Sequence, residues 1–134
     1  HEAYPYYKSV LEVDSSDAVA LNNLAFLMAE EGRDLDSALT YIQKAKQQYP
    51  NNDDIADTMG WIYLKKTLND DALTIFRDLV KRNPNRALFR YHLGAAQYQK
   101  RDFQAAKQSL QMALSLKPGK DEEAKIRELL AKIG

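Results

Sequence analysis

The stretch MGWIYLKKTLNDDALTIFRDLVKRNP, residues 59–84, holds two apolar-periodic runs separated by a polar turn and closed by a proline. One period of 34 residues further on, LGAAQYQKRDFQAAKQSLQMALSLKP, residues 93–118, shows the same order. Pro50, Pro84 and Pro118 share that interval, as do Ala38, Ala72 and Ala106, Ile42, Phe76 and Leu110, and Ala45, Leu79 and Ala113. Upstream lie Leu24-Ala25, Met59-Gly60 and Leu93-Gly94, followed by Met28, Tyr63 and Gln97. A fixed period of a few tens of residues decides the architecture before any local motif does.

Among the upstream columns the first interval is 35 rather than 34, and Ala25 lies 13 residues before Ala38 where Gly60 and Gly94 lie 12 before their partners. One residue is therefore inserted in the first unit. A surface turn absorbs such an insertion, whereas a helix interior would rotate every later side chain off the core face. The turn EEGRDLD, residues 30–36, is the expected place.

Each unit reads as two helices with apolar or small residues every three or four positions. The spacing predicts first helices over 18–31, 53–66 and 87–100 and second helices over 36–48, 70–82 and 104–116. Asp17, Asn52 or Asp53, Asp36 and Asp70 stand where side-chain oxygens cap free amides at helix starts.

With MGWIY, Ala72, Phe76, Leu79 and Pro84 in one unit and Leu93, Gly94, Ala106, Leu110, Ala113 and Pro118 in the next, the chain resembles the tetratricopeptide-repeat family over nearly its whole length. It departs from the pattern where Ala25 replaces the glycine and where Met28 and Gln97 replace the tyrosine. The resemblance implies an all-α, right-handed α-solenoid of antiparallel helix pairs. It is expected as one domain, 1–134: a half repeat with the second helix only (1–16), repeats at 17–51, 52–85 and 86–119, and a capping helix at 120–134.

The half repeat rests on Ala3, Tyr7 and Val10, which fall on the columns of Ala72, Phe76 and Leu79, so the chain is expected to be a fragment entered in mid-repeat. At the other end DEEAKIRELLAKIG has acidic residues first, basic ones later and a stripe of Ala124, Ile126, Leu129, Leu130 and Ile133. Such a helix suits the end of a repeat stack, and the natural C terminus is expected there.

The 134 residues carry 19 basic and 19 acidic side chains, so overall charge draws the chain toward neither nucleic acid nor an acidic membrane. The distribution is uneven: 4 basic and 11 acidic residues in 1–58, 15 and 8 in 59–134. The absence of cysteine removes disulfides and thiolate chemistry. Apolar runs fall well short of a spanning helix, so no membrane insertion is expected in this segment.

Chemistry has little to work with. His1 and His92 are the only histidines, and there is no glycine-rich phosphate loop. Asp53, Asp54 and Asp57 read as a helix start rather than a metal site, and Arg77, Lys81, Arg82, Arg86, Arg90, Lys100, Arg101 and Lys107 as a solvated face. No enzyme activity, cofactor or metal is expected.

In the resembled family first helices line a concave groove. That implies a peptide-binding groove of Asn22, Phe26, Asp57, Trp61, Leu64, Lys65, Tyr91, His92 and Tyr98. The lysine, arginine and asparagine clamp of chaperone-tail adaptors is missing, since Asn22, Phe26, Thr58, Leu88 and His92 hold its places. The expected function is a protein–protein interaction scaffold that takes a protein or peptide with apolar anchors and a basic residue. Self-assembly into a homo-oligomer through helix ends is the alternative, and an RNA-binding solenoid ranks below it because no nucleic acid is expected. DTMGWIYLKK and YHLGAAQYQK resemble bacterial tetratricopeptide proteins of envelope and exopolysaccharide export systems, which leaves a bacterial envelope, periplasmic or cytoplasmic setting open.

Overall fold

The computed structural model describes residues 3–134, so the first two residues of the expected half repeat, His1 among them, lie outside the described residues. The described chain is helical throughout and falls into two compact units, the first ending at Leu68 and the second spanning Asn69–Gly134. The first contains α1 (Ala3–Val13), α2 (Ala18–Glu31), α3 (Leu35–Gln48) and α4 (Asp53–Lys65). The second contains α5 (Asn69–Arg82), α6 (Ala87–Gln99), α7 (Phe103–Ser115) and α8 (Lys120–Ile133). The division falls between the two helices of the repeat expected at 52–85, so the compact units do not coincide with the sequence repeats.

Within the first unit α2 is central and packs on α1, α3 and α4, with α3 also against α4. In the second, α6 packs on α5, α7 and α8, and α7 on α8. The small-residue columns make this packing close. Ala25 and Ala38 are fully buried in the first unit, Ala72 and Ala106 in the second. At Gly94 a methyl group would stand 2.8 Å from Leu110 Cδ2 and Cγ, so α6 and α7 meet where only a hydrogen fits. Phe76 and Phe89 are the largest side chains with no exposed surface.

Helix ends explain the register. Asp17 Oδ1 accepts from Ala20 N at 3.0 Å and Asn52 Oδ1 from Ile55 N at 3.0 Å, as the sequence led us to expect for these two caps. In the same column the cap position of α6 is held by Arg86, which makes no side-chain cap and instead lays its guanidinium 4.3 Å from the centroid of Phe89. For α3 the cap is Asp34, not Asp36. Asp34 Oδ1 accepts from Ser37 N at 3.4 Å, and Asp36 lies two residues further on, inside the first turn, where it pairs with Lys66. Asp70 likewise sits inside the first turn of α5 and pairs with Lys100.

First helices end in the Schellman arrangement, with paired bonds to the last carbonyls and one left-handed residue. The bonds are Gly32 N to Ala29 O with Arg33 N to Met28 O, then Thr67 N to Leu64 O with Leu68 N to Tyr63 O, then Arg101 N to Tyr98 O with Asp102 N to Gln97 O. Gly32, Thr67 and Arg101 have φ of 64°, 62° and 72°. From Gly32 to the start of α3 is three residues, against two from Thr67 to α5 and two from Arg101 to α7. The extra residue therefore sits in the expected turn, where Asp34 takes a second positive φ of 48°.

The last helix buries Ile126 and half-buries Leu129, Leu130 and Ile133 against α6 and α7. Ala124, expected in the same stripe, is exposed because it points away with the ion-paired Arg127–Glu123 and Lys132–Glu128 side.

Candidate protein-binding surface

In the first unit, α2 is apolar almost all round, which is the composition of a helix covered on most sides. Three neighbours cover Leu21, Leu24, Ala25 and Met28. One face stays open: Val19 is 70% exposed, Asn22, Phe26 and Glu30, following at steps of three and four, are partly exposed, and so are Asn23 and Leu27 beside them. The far end of the stripe is tied to α4, where Trp61 Nε1 donates to Glu30 Oε1 at 2.5 Å and Lys65 Nζ lies 5.1 Å above the indole. Asn22 is otherwise distinctive. Its Oδ1 is buried without a hydrogen-bond donor among the described residues.

At the near end a cleft of about 500 Å³ opens among the α1–α2 loop, the C-terminal end of α3 and the first turn of α4. Asp14, Ser16, Asp17, Ala18, Val19, Asn22, Gln48, Tyr49, Asn52, Asp54 and Ile55 line it. Gln48 Nε2 donates to Ser16 O at 2.7 Å and so braces the two loops against each other.

The nine groove residues expected from the sequence divide by burial. Asn22, Phe26 and Tyr98 are partly exposed and Lys65 is exposed. Asp57, Trp61, Leu64, Tyr91 and His92 are buried, with Trp61 at 4% and His92 at 1% exposure, so they form floor rather than open contact surface. Their own surroundings explain it for the aromatic members. Trp61 spends its N–H on Glu30 and its face on Lys65, and the His92 ring lies 5.6 Å from Phe76 and 5.1 Å from Tyr91. Tyr98 is set apart from that cluster, its ring 5.5 Å from Phe103.

Sequence reasoning placed Asn22 in the groove but did not see the cleft it shares with Val19, Asp54, Asp14, Asp17, Gln48 and Tyr49. These come from two inter-helix loops in different repeats, and only the column relation between Asp17 and Asn52 hints that the loops are equivalent. Elsewhere, no group of three metal-ligating His, Asp or Glu side chains converges among the described residues, and no described helix is long and apolar enough to cross a membrane.

Central helices packed by flanking helices, with repeating small-residue contacts and repeating turn geometry, define a helical-repeat protein. The chain belongs to the tetratricopeptide-repeat family: models of that repeat match residues 58–121 and 20–52, most of its length between them. A Dictyostelium discoideum protein described as "Protein STIP1 homolog" is 32% identical over 91 residues, covering 63% of this chain and 16% of that protein. The chain thus spans a small part of that relative.

Among solved structures, a MamA RS-1 double mutant is 25% identical with a TM-score of 0.70, over 98% of this chain and 72% of that one. MamA from Desulfovibrio magneticus RS-1 is 23% identical with a TM-score of 0.66, over 98% and 82%. MamA from AMB-1 is also 23% identical, with a TM-score of 0.69 over 98% and 76%. The last two show likeness of fold alone. The family is one of protein–protein interaction scaffolds, typically without catalysis of its own.

Proposed function

We propose that this chain is a scaffold that holds a segment of a partner protein along the open stripe of α2. The observation that carries the reading is the open face of α2, where Val19, Asn22, Phe26 and Glu30 run beside the partly exposed Asn23 and Leu27, opposite the buried Leu21, Leu24, Ala25 and Met28. An exposed valine and a half-exposed phenylalanine one turn beyond Asn22 are not needed by the core, and apolar side chains set in a polar surround are what partners bury. In the first unit Lys65 is the other member of the expected groove that remains accessible, and Asp57, Trp61 and Leu64 are buried there; in the second unit Tyr98 remains accessible and Tyr91 and His92 are buried.

The test is selection from a random-peptide display library on the parent chain and on a Val19→Ser, Phe26→Ala variant of unchanged helicity. Peptides that enrich on the parent and not on the variant support the stripe as the binding surface. Equal enrichment on both places binding elsewhere and overturns this reading.

A second reading, self-assembly, is favoured by the segregation of charge along the chain.

A further inference from the structure

The cleft at the N-terminal end of α2 has a chemistry of its own. Asp14, Asp17 and Asp54 line it, and none of its lining residues is a lysine or arginine. Two helix N-termini, of α2 and α4, face the same region, and a helix N-terminus ordinarily attracts anions with about half a positive charge each. Here that attraction is already answered. The α2 amide is taken by Asp17 Oδ1 and the α4 amide by Asn52 Oδ1, while Ser16 N donates to Asp14 Oδ1 at 2.9 Å. Roughly one unit of positive dipole charge stands against three carboxylates, so the cleft is net negative.

It is also rich in acceptors. The lining offers the carboxylate oxygens of Asp14, Asp17 and Asp54 and the side-chain amides of Gln48 and Asn52. At the rim, Val19 is 70% and Tyr49 55% exposed, an aliphatic and an aromatic surface beside the carboxylates. A lysine or arginine side chain matches both parts: its methylene stem covers apolar surface while its head supplies donors and positive charge. The aromatic face of Tyr49 adds an attraction for a cation.

We infer that this cleft receives a lysine or arginine side chain of the partner segment. The inference rests on the proposed binding of a segment along α2, because Val19 and Asn22 belong to both the stripe and the cleft. It also sets a spacing. From Val19 to Phe26 is seven helical residues, about 10 Å, which an extended peptide covers in about three residues. The bound segment accordingly carries its basic residue about three positions from an apolar anchor.

The experiment uses the display selection on the full chain, followed by isothermal titration with the strongest synthetic peptide, its norleucine analogue at the basic position, and an alanine analogue at the apolar anchor. The protein side is an Asp14→Asn, Asp17→Asn variant, which keeps the cap of α2 because asparagine caps as aspartate does. Expected are a basic residue in the enriched motif and an affinity loss of about tenfold or more for the norleucine peptide, a smaller loss in the Asn variant, and weakening as salt rises from 0.05 to 0.5 M. Peptides that require Phe26 and Val19 yet bind equally well with norleucine would overturn the basic-residue inference and leave the stripe standing. Peptides indifferent to Phe26 and Val19, or an empty selection, overturn both.

Discussion

At Gly94 the sequence column and the packing agree on a single atom. An alanine there gains about 1 kcal/mol of helix propensity but drives a methyl to 2.8 Å from Leu110, and overpacking of that kind costs about 1–3 kcal/mol. Gly94→Ala is expected to lower stability by about 1 kcal/mol in urea unfolding. The first unit has already met the same demand differently, with Ala25 in the glycine column and Ile42 where Leu110 stands, both fully buried. Gly94→Ala with Leu110→Ile should therefore recover part of the loss, and a double variant worse than the sum of the singles would refute the equivalence of the two sites. Thr67 carries the opposite opportunity. It holds φ of 62°, where a β-branched residue is strained, in the turn position that Gly32 fills one repeat earlier. Thr67→Gly should raise stability by about 0.5–1 kcal/mol, the relieved strain exceeding the extra freedom glycine gives the unfolded chain. Truncation of the fully buried Phe76 to Ala is expected to cost about 3–5 kcal/mol and, through its ring contact, to loosen His92.

Helices were the most legible level of this protein. Three-and-four spacing and the 34-residue columns placed six helix cores to within a residue at each end, and the 35-residue interval located the extra residue in the turn where Asp34 now stands. Caps were legible where the aspartate or asparagine immediately precedes the apolar rhythm, as at Asp17 and Asn52. They misled at Asp36 and Asp70 alike, because α3 and α5 start one residue before these aspartates, at Leu35 and Asn69, and the cap of α3 falls on Asp34. Exposure was not legible. The family resemblance implies a groove that holds Trp61, Tyr91 and His92 together with Phe26, but whether a side chain there is covered depends on neighbours that the repeat columns do not report. The clearest regularity between elements is one no single-helix pattern shows: Lys66 pairs with Asp36 and Lys100 with Asp70, each linking the end of one first helix to the first turn of the second helix before it. Both pairs keep an exposed carboxylate, so each is worth about 0.2–1 kcal/mol and is screened by salt. A double-mutant cycle on Lys100→Met and Asp70→Asn should return a coupling in that range at low salt and close to zero at 1 M. A coupling that survives high salt would mean that packing of the lysine stem, not charge, joins the elements.

For the whole molecule, charge follows the division into compact units. Residues 1–68 carry 6 basic and 11 acidic side chains and residues 69–134 carry 13 and 8, opposite excesses of five charges on a chain that is neutral in total. The negative unit of one copy attracts the positive unit of another, and a head-to-tail contact of this kind adds copies until it closes into a ring or extends as a filament. Its reach is set by screening, with a Debye length of about 30 Å at 0.01 M salt and about 8 Å at 0.15 M. A scaffold that works through the α2 stripe requires only that this attraction be weak at physiological salt. Light scattering is expected to show an apparent mass that climbs with concentration at about 0.01 M salt and settles at the monomer near 0.15 M. Replacing the exposed Arg77, Lys81 and Lys107 with glutamate should abolish the climb, because it removes the excess from the positive unit. Association that persists at 0.5 M salt and survives the charge reversal would have to be apolar. Self-assembly would then replace partner capture as the better account of the molecule, with the same Val19 and Phe26 stripe as the first place to look for its contact.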